Sequence, residues 1–204
     1  MTVVASELER VRAEARACRR CPLWQGATQT VFGVGPEASR LVFLGEAPGR
    51  KEDEQGVPFV GTAGQVLDEA LAAAGLDRSE IYITNAVKHR PGVQGGRGAR
   101  NRAPKQSEVN ACRFWLDQEL AIVRPQVLCC LGAVAARAIL GRDFKLMQGL
   151  GEWRASSGVP HVLATVHPSV VLIRPDPADR EAARRQLFAD VAKVADRYRA
   201  LAAQ

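Results

Sequence analysis

The residues best suited to chemistry lie in a loop that follows a short apolar run, residues 41–44. The loop begins at Gly45 and Glu46 and stays rich in glycine, proline and acids as far as Gly61. An apolar run ending in Gly and Pro is typical of a buried strand that leads into a loop, and in open α/β sheets ligands bind at such loops. An ordinary surface loop is the commoner outcome for this composition, but the ring of Phe59 favours a binding role.

A histidine ends a second apolar run, residues 162–166. Pro168 biases His167 towards an extended backbone, which directs the imidazole out of the strand at its tip. A single histidine is more often structural than catalytic. Because Glu46 is expected at another strand tip, a catalytic role for His167 is an equally good interpretation.

The cysteines have the spacing of a metal site. Cys18 and Cys21 form a C-x2-C pair, a common chelating unit for zinc or for iron–sulfur clusters. Residues 129–130 are adjacent cysteines inside an apolar run, which favours core packing over ligation. Cys112 is a third thiolate candidate, and His89, at the end of a predicted strand, could supply the fourth ligand. Spacing alone leaves a Cys3His zinc site and a cluster with one histidine ligand equally open.

A cationic segment lies between residues 88 and 105. It holds four glycines, six Lys/Arg residues and no acid. A flexible basic loop is typical of proteins that bind a polyanion such as nucleic acid, although a solvated loop is the plainer alternative. The basic residues are Lys88, Arg90, Arg97, Arg100, Arg102 and Lys105.

The composition is that of a globular chain, with 204 residues, 47% of them hydrophobic, and a net charge of +6. This length suits one domain, which we take as residues 1–204. No apolar stretch is long enough for a membrane span, and the N-terminus lacks the features of a signal peptide. We therefore expect a cytoplasmic protein with no membrane partner, in which the five cysteines are reduced.

Apolar periodicity predicts an alternation of strands and helices. Strands are expected near residues 41–44, 81–87, 127–131 and 161–167. Helices are expected near residues 6–17, 62–74, 108–123, 133–140 and 178–203. Strands that alternate with helices form a parallel sheet covered on both faces. The predicted fold class is α/β, a single three-layer α/β/α domain around a central, mostly parallel, four-stranded sheet.

Six blocks of residues, in order along the chain, resemble the family 4 uracil-DNA glycosylases and most closely their X-type branch. The blocks are residues 18–23, 27–33, 46–64, 84–89, 111–116 and 167–169. The resemblance implies a uracil-DNA glycosylase-like fold with its site at the strand tips. It also implies a [4Fe–4S] cluster, with a histidine at the place where family 4 has a fourth cysteine. The implied ligands are Cys18, Cys21, His89 and Cys112.

The activity implied by the resemblance is hydrolysis of the N-glycosidic bond of deoxyuridine in uracil-containing DNA, as part of base excision repair. The protein is expected to be a monomer in the cytoplasm of a prokaryote, associated with the nucleoid. Glu46 and His167 would be catalytic. The residues implied to surround the flipped nucleotide are Ala47, Gly49, Phe59, Asn85 and Asn101. Those implied to contact DNA are Arg97, Arg100, Arg102, Lys105, Ser169 and Arg174.

Two positions depart from the X-type pattern. Ala47 stands where that branch usually has Gln, and in this respect the chain resembles ordinary family 4 enzymes. Asn101 stands where the X-type branch has a histidine that attacks the sugar and stays bonded to it. The missing nucleophile leaves slow or non-catalytic binding of uracil-containing DNA as an alternative to turnover. An unrelated zinc-stabilised nucleic-acid module is a third hypothesis.

The residue at position 101 should decide between release and capture of the DNA. An imidazole nitrogen has a free lone pair, whereas the lone pair of the Asn101 amide nitrogen is delocalised into the carbonyl. We predict that Asn101→His forms a denaturant-stable adduct with a uracil-containing oligonucleotide, visible as a shifted band on a denaturing gel. The matched thymine oligonucleotide should give no band. An adduct formed by the unmodified protein would contradict the prediction that water attacks the sugar.

Overall fold

The structure is a computed structural model that describes residues 6–92 and 101–203. Within these ranges a five-stranded sheet lies between two layers of helices. The strands are β1 (Leu41–Gly45), β2 (Tyr82–Asn85), β3 (Val127–Leu131), β4 (Trp153–Ser156) and β5 (Val159–Thr165). Their order across the sheet is β2-β1-β3-β5-β4, and only β4 runs antiparallel to its neighbour.

The helices follow the predicted alternation. They are α1 (Glu7–Ala15), α2 (Arg50–Gln55), α3 (Thr62–Ala73), α4 (Gln106–Val123), α5 (Ala133–Leu140), α6 (Val170–Ile173) and α7 (Pro177–Ala202). Short 3-10 turns cover Pro22–Gln25, Arg78–Glu80 and Leu146–Gln148. Among the described residues, no helix is both long and apolar enough to cross a membrane.

The central strands are buried on both faces, which is why they read as continuous apolar runs in the sequence. Every residue of β1 and β3 is buried. Along β1, Leu41 and Phe43 face a cluster that includes α3 and α7, whereas Val42 and Leu44 face a cluster that includes α1, α4 and α5. The alternating faces of the sheet therefore hold the two helical layers in place.

The prediction of four strands is wrong, because β4 was missed. This edge strand pairs with β5 beyond a turn in which Gly158 has a φ of +87°. Its side chains are only partly covered and include Arg154 and Ser156, so it forms no apolar run. The Ser-Gly pair before β5 was the available sign of a hairpin turn.

Three further details differ from the sequence-based expectations. The strand expected over 81–87 ends at Asn85, so His89 lies in the segment beyond the strand. Cys112 was expected to begin a helix, but α4 begins at Gln106 and places Cys112 in its second turn. Helix α2 was missed because its residues are all polar and lack an apolar stripe.

A fully buried ion pair lies beneath the sheet edge near β2. Lys88 and Glu119 both have an exposed fraction of 0%, and the Lys88 ammonium is hydrogen-bonded to the Glu119 carboxylate. The ammonium also donates to the hydroxyl of Thr84 at 2.7 Å and to the carbonyl oxygen of Asn85 at 2.7 Å. The carboxylate accepts from Tyr82 and from the backbone N–H of Gly33. This network joins α4 to the end of β2.

Candidate active site

A cavity of about 680 Å³ opens at the carboxyl ends of the four parallel strands. Glu46 follows β1, Asn85 ends β2, Gly132 follows β3 and His167 follows β5, and all four line the cavity. Parallel strands present their carboxyl ends at one edge, which explains how residues so distant in sequence meet. Each residue predicted to be catalytic or to surround the nucleotide lines this cavity: Glu46, Ala47, Gly49, Phe59, Asn85, Asn101 and His167.

The ring of Phe59 and the amide of Asn85 meet over Gly45. A Cβ atom built on Gly45 would lie 2.3 Å from Oδ1 of Asn85 and 2.5 Å from Cζ of Phe59, so only glycine allows this approach. The Asn85 side chain makes no hydrogen bond to another described residue, although Asn85 is only 2% exposed. Its donor and acceptor are therefore free to bind a ligand in the cavity.

Phe59 has a left-handed backbone, with φ of +56°, which is rare for a bulky residue. The backbone N–H groups of the next two residues, Val60 and Gly61, both donate to Oε1 of Glu52, at 3.0 and 2.7 Å. On the other side, the carbonyl oxygen of Phe59 would lie 2.0 Å from a Cβ on Gly64. These contacts hold the Phe59 ring over the cavity.

The hydrogen bonds of His167 define its tautomer. The backbone N–H of Ser169 donates to Nδ1 of the ring at 3.2 Å, so Nδ1 is the acceptor and Nε2 carries the proton in the neutral ring. Burial lowers the pKa of His167 to about 4. The ring centre lies 6.0 Å from that of Phe59. His167 is therefore a neutral hydrogen-bond donor beside an aromatic face.

Glu46 is the acid of the cavity. Its carboxyl group is largely surrounded by protein, and burial raises its pKa above the ordinary value. A carboxyl group with a raised pKa accepts a proton more readily than a carboxyl group in water. Such a group can stabilise a positive charge or take a proton from a water molecule.

Asn101 lies at the rim of the cavity and is exposed. Its Oδ1 accepts a hydrogen bond from Nε of Arg90 at 2.7 Å. Its Nδ2 lies 3.5 Å from the position of a Cβ on Gly49. The Asn101 side chain therefore reaches the loop after β1.

The residues predicted to contact DNA are not all at the cavity. Lys105 is exposed at the N-cap of α4 and does not line the cavity. Arg97 and Arg100 lie outside the described residues. The three that do line the cavity are Arg102, Ser169 and Arg174.

Arg102 has a carboxylate partner that the sequence did not reveal. Its guanidinium donates to both oxygens of Glu108, at 2.8 and 2.6 Å, and this pairing lowers the pKa of Glu108. The charge that Arg102 presents at the cavity is therefore partly neutralised.

The predicted metal ligands lie where α1 ends, after β2 and in α4. Cys18 and Cys112 are buried, and burial raises the pKa of Cys112 to about 12, with smaller contributions from Cys21 and Cys18 nearby. Each buried sulfur accepts an N–H hydrogen bond. Trp115 Nε1 donates to Cys18 at 3.0 Å, and the backbone N–H of Lys88 donates to Cys112 at 3.1 Å.

His89 is arranged to ligate through Nδ1. Its Nε2 lies 3.0 Å from the hydroxyl oxygen of Thr30, and that hydroxyl donates its own proton to the carbonyl oxygen of Ala15 at 2.9 Å. Nε2 must therefore be the donor, which leaves the Nδ1 lone pair unused. A ligating histidine commonly donates its other N–H to a neighbour in this way.

No group of three His, Cys, Asp or Glu side chains among the described residues converges on one point, as a single metal ion requires. The ligands of a four-iron cluster bind different iron atoms and need not converge. N–H hydrogen bonds to the sulfurs are also a usual feature of such clusters. The N–H donors to Cys18 and Cys112 are compatible with sulfur ligands of a cluster.

Sequence reasoning did not identify several residues that shape the site. Glu52 was visible only as one of several acids in the first loop. Gly132 has a φ of +93° and leaves room for His167. A Cβ atom built on Gly132 would lie 3.1 Å from the Cβ atom of His167. A glycine between an apolar run and a helical pattern was the sign of this close approach. Nothing in the sequence predicted the long-range partners of Lys88 or Trp115.

The low pKa of His167 gives a pH dependence that can be measured. An unfolded histidine titrates near about 6.5. Because the folded ring titrates at about 4, the unfolded chain binds the proton first. The free energy of unfolding should therefore fall as the pH drops from about 6.5 towards 4, and His167→Gln should remove that part of the fall.

Urea unfolding at a series of pH values measures this effect, and NMR of labelled histidine gives the pKa directly. His161→Gln is the matched control, because His161 lies in β5, the strand that His167 follows, and does not line the cavity. A measured pKa for His167 at or above the ordinary histidine value would contradict this description of the ring.

Comparison with known proteins gives one consistent result. Residues 32–192 match the family model described as the uracil DNA glycosylase superfamily. A type-4 uracil-DNA glycosylase of Archaeoglobus fulgidus is 39% identical over 178 residues, which cover 82% of this chain and 84% of the relative. The type-4 enzyme of Thermotoga maritima is 37% identical, over 81% of this chain and 83% of its own. A type-5 uracil-DNA glycosylase of Pyrobaculum aerophilum is 32% identical, over 78% and 74%. The chain belongs to the uracil DNA glycosylase superfamily.

Proposed function

We propose that the protein is a uracil-DNA glycosylase that hydrolyses the N-glycosidic bond of deoxyuridine in DNA, the first step of base excision repair. The observation that carries the proposal is the cavity, where an aromatic ring, an unpaired amide, a neutral histidine donor and a carboxyl group converge. The type-4 relatives support the same reaction. We also propose that it acts as a monomer in the cytoplasm of a prokaryote, associated with the nucleoid.

Recognition of uracil rests on Asn85 and Phe59. A base inside DNA must be flipped out before its glycosidic bond can be reached. Phe59 would stack on the flipped ring, while the Asn85 amide would accept from N3–H and donate to O4. Cytosine presents the reverse pattern at these atoms and would leave the buried amide unpaired, which disfavours it strongly.

Bond cleavage rests on His167 and Glu46. As the bond between C1′ and N1 breaks, positive charge develops on the sugar and negative charge on uracil, including O2. The Nε2–H of His167 would donate to O2, and a fixed donor of this kind stabilises charge that forms in the transition state. Glu46 would stabilise the sugar cation and accept the proton of the water that attacks C1′.

The segment around Asn101 bears on what happens after cleavage. We propose that the chain lies nearest the X-type branch, a proposal that His89 and the basic segment support. We also propose that it releases abasic DNA, because Asn101 lacks a nucleophilic nitrogen. Slow or non-catalytic binding of uracil-containing DNA is the alternative. Multiple-turnover release of uracil distinguishes the two.

We also propose that Cys18, Cys21, Cys112 and His89 hold a [4Fe–4S] cluster. When bound, the cluster would supply structural cross-linking, since hydrolysis of this bond needs no electron transfer. The residues themselves join the end of α1, the segment after β2 and the second turn of α4. The N–H donors of Trp115 and Lys88 would stabilise the sulfur charge.

Replacement of the two catalytic residues tests the proposed reaction. We expect His167→Ala to lower the single-turnover rate of uracil release by roughly 10²- to 10³-fold, the usual loss for one oxyanion donor. Glu46→Gln should also lower the rate, with DNA affinity changed little in both variants. His161→Ala is the control and should keep the rate. Near-normal rates in both catalytic variants would refute the assigned roles.

Paired cysteine replacements test the cluster. Cys112→Ala should lose bound iron and the broad visible absorption of an iron–sulfur protein, because its sulfur is a proposed ligand. The control is the double replacement of Cys129 and Cys130 by Ala, which should keep both signals because these side chains are core residues. Iron loss in the control, with iron retained in Cys112→Ala, would overturn the assignment.

A further inference from the structure

Two arginines between Cys18 and Cys21 stack on aromatic rings at the protein surface. The guanidinium carbon of Arg19 lies 4.1 Å from the ring centre of Trp24, and that of Arg20 lies 4.2 Å from the ring centre of Phe114. Both arginines are exposed, and Phe114 is 40% exposed. We call these four residues the Arg–aromatic patch. A guanidinium laid flat on a ring is fixed in orientation before any ligand arrives.

The charge of this patch is not neutralised within the described residues. Two other arginines that stack on rings do have a carboxylate partner, since Arg184 has Glu69 at 2.8 Å and Arg154 has Glu152 at 2.8 Å. Neither Arg19 nor Arg20 has a carboxylate partner in the parts of the chain that the structure describes. The patch thus presents two ordered positive charges and aromatic surface, the combination that binds a nucleic-acid strand.

Helix α4 leads from the rim of the cavity to the patch. Arg102 lines the cavity and is paired with Glu108, in the first turn of α4. Phe114, on which Arg20 stacks, lies further along the same helix, about 9 Å from Glu108 at a rise of about 1.5 Å per residue.

A second connection runs along the segment after β2. His89 is joined through the hydroxyl of Thr30 to the carbonyl oxygen of Ala15, shortly before Arg19 in the chain. The next residue, Arg90, donates to Asn101 at the rim. These hydrogen bonds join the rim of the cavity to the segment that carries Arg19.

We propose that the Arg–aromatic patch binds the DNA strand that flanks the flipped deoxyuridine on one side, with phosphates on Arg19 and Arg20 and a base stacked against the patch. This inference rests on the proposed function, because it takes the cavity as the place of the target nucleotide. It extends the DNA contact beyond the basic segment of residues 88–105 to the residues between Cys18 and Cys21.

The test compares oligonucleotides that reach the patch with one that does not. The short probe has deoxyuridine with one nucleotide on either side, and the long probes are extended on the 5′ or the 3′ side only. The Arg19→Gln, Arg20→Gln double variant should bind one of the long probes roughly tenfold more weakly at low salt. Its slope of log K against log salt should shrink by up to about two units. Its affinity for the short probe should not change.

Controls separate charge from folding. The Arg184→Gln, Arg154→Gln double variant removes the same charge from two other stacked arginines and should bind all probes as the unmodified protein does. Circular dichroism and iron content should be equal in both variants. Phe114→Ala, which keeps both charges, should weaken binding of the same long probe without changing the salt slope.

Each outcome decides the inference. Equal losses on short and long probes would place these arginines at the cavity and overturn it. Unchanged affinity of the double variant for every probe would also overturn the inference. The patch would then be assigned to an acidic protein surface instead of DNA. Extended probes without uracil keep the test independent of the proposed function. If the unmodified protein released no uracil, the proposed function would fail, while the loss of affinity for uracil-free DNA would still support the patch.

Discussion

The buried ion pair between Lys88 and Glu119 constrains the part of the molecule on which recognition depends. Two charges with no exposure to water are tolerated only where their remaining hydrogen-bonding capacity is also satisfied, and removal of one partner typically costs about 3–5 kcal/mol. Here the surplus donors of the ammonium go to Thr84 and to the carbonyl oxygen of Asn85. These contacts fix the end of β2 relative to α4, and with it the Asn85 amide that we propose reads the base.

The same lysine joins the recognition site to the cysteines. Its side chain reaches back to Asn85, while its backbone N–H donates to the sulfur of Cys112. The next residue is His89, whose ring is oriented by Thr30. The segment from Asn85 to His89 thus has the residue proposed to read the base at one end and a proposed metal ligand at the other. The proposed cluster would hold the far end of this segment, so it would affect the site without taking part in the chemistry.

The sequence predicted the layers and the strand tips well because both depend on local patterns. Continuous apolar runs identified β1 and β3, and the helices that cover them were placed to within a few residues. Contacts between residues that are far apart in the sequence leave no such local pattern. Glu119 is an ordinary acid in a helix until the fold puts Lys88 beside it, and β4 is a short edge strand without an apolar run. Local patterns also indicated Glu46, Phe59 and His167, whereas the other cavity residues could be named in advance only because the motifs resemble a known family.

The left-handed backbone of Phe59 has a consequence for binding. Two peptide N–H groups held by Glu52 and the close approach to Gly64 keep the ring in place in the empty cavity. The conformational entropy of that ring is therefore lost when the chain folds and not when a base arrives. In the proposed reaction a flipped base would meet a ring that is already held in place, so the stacking energy would be available to offset the work of extracting the base from the helix. The strained backbone of Phe59 lowers the stability of the folded enzyme, and as a result the ring needs little further ordering when a ligand binds.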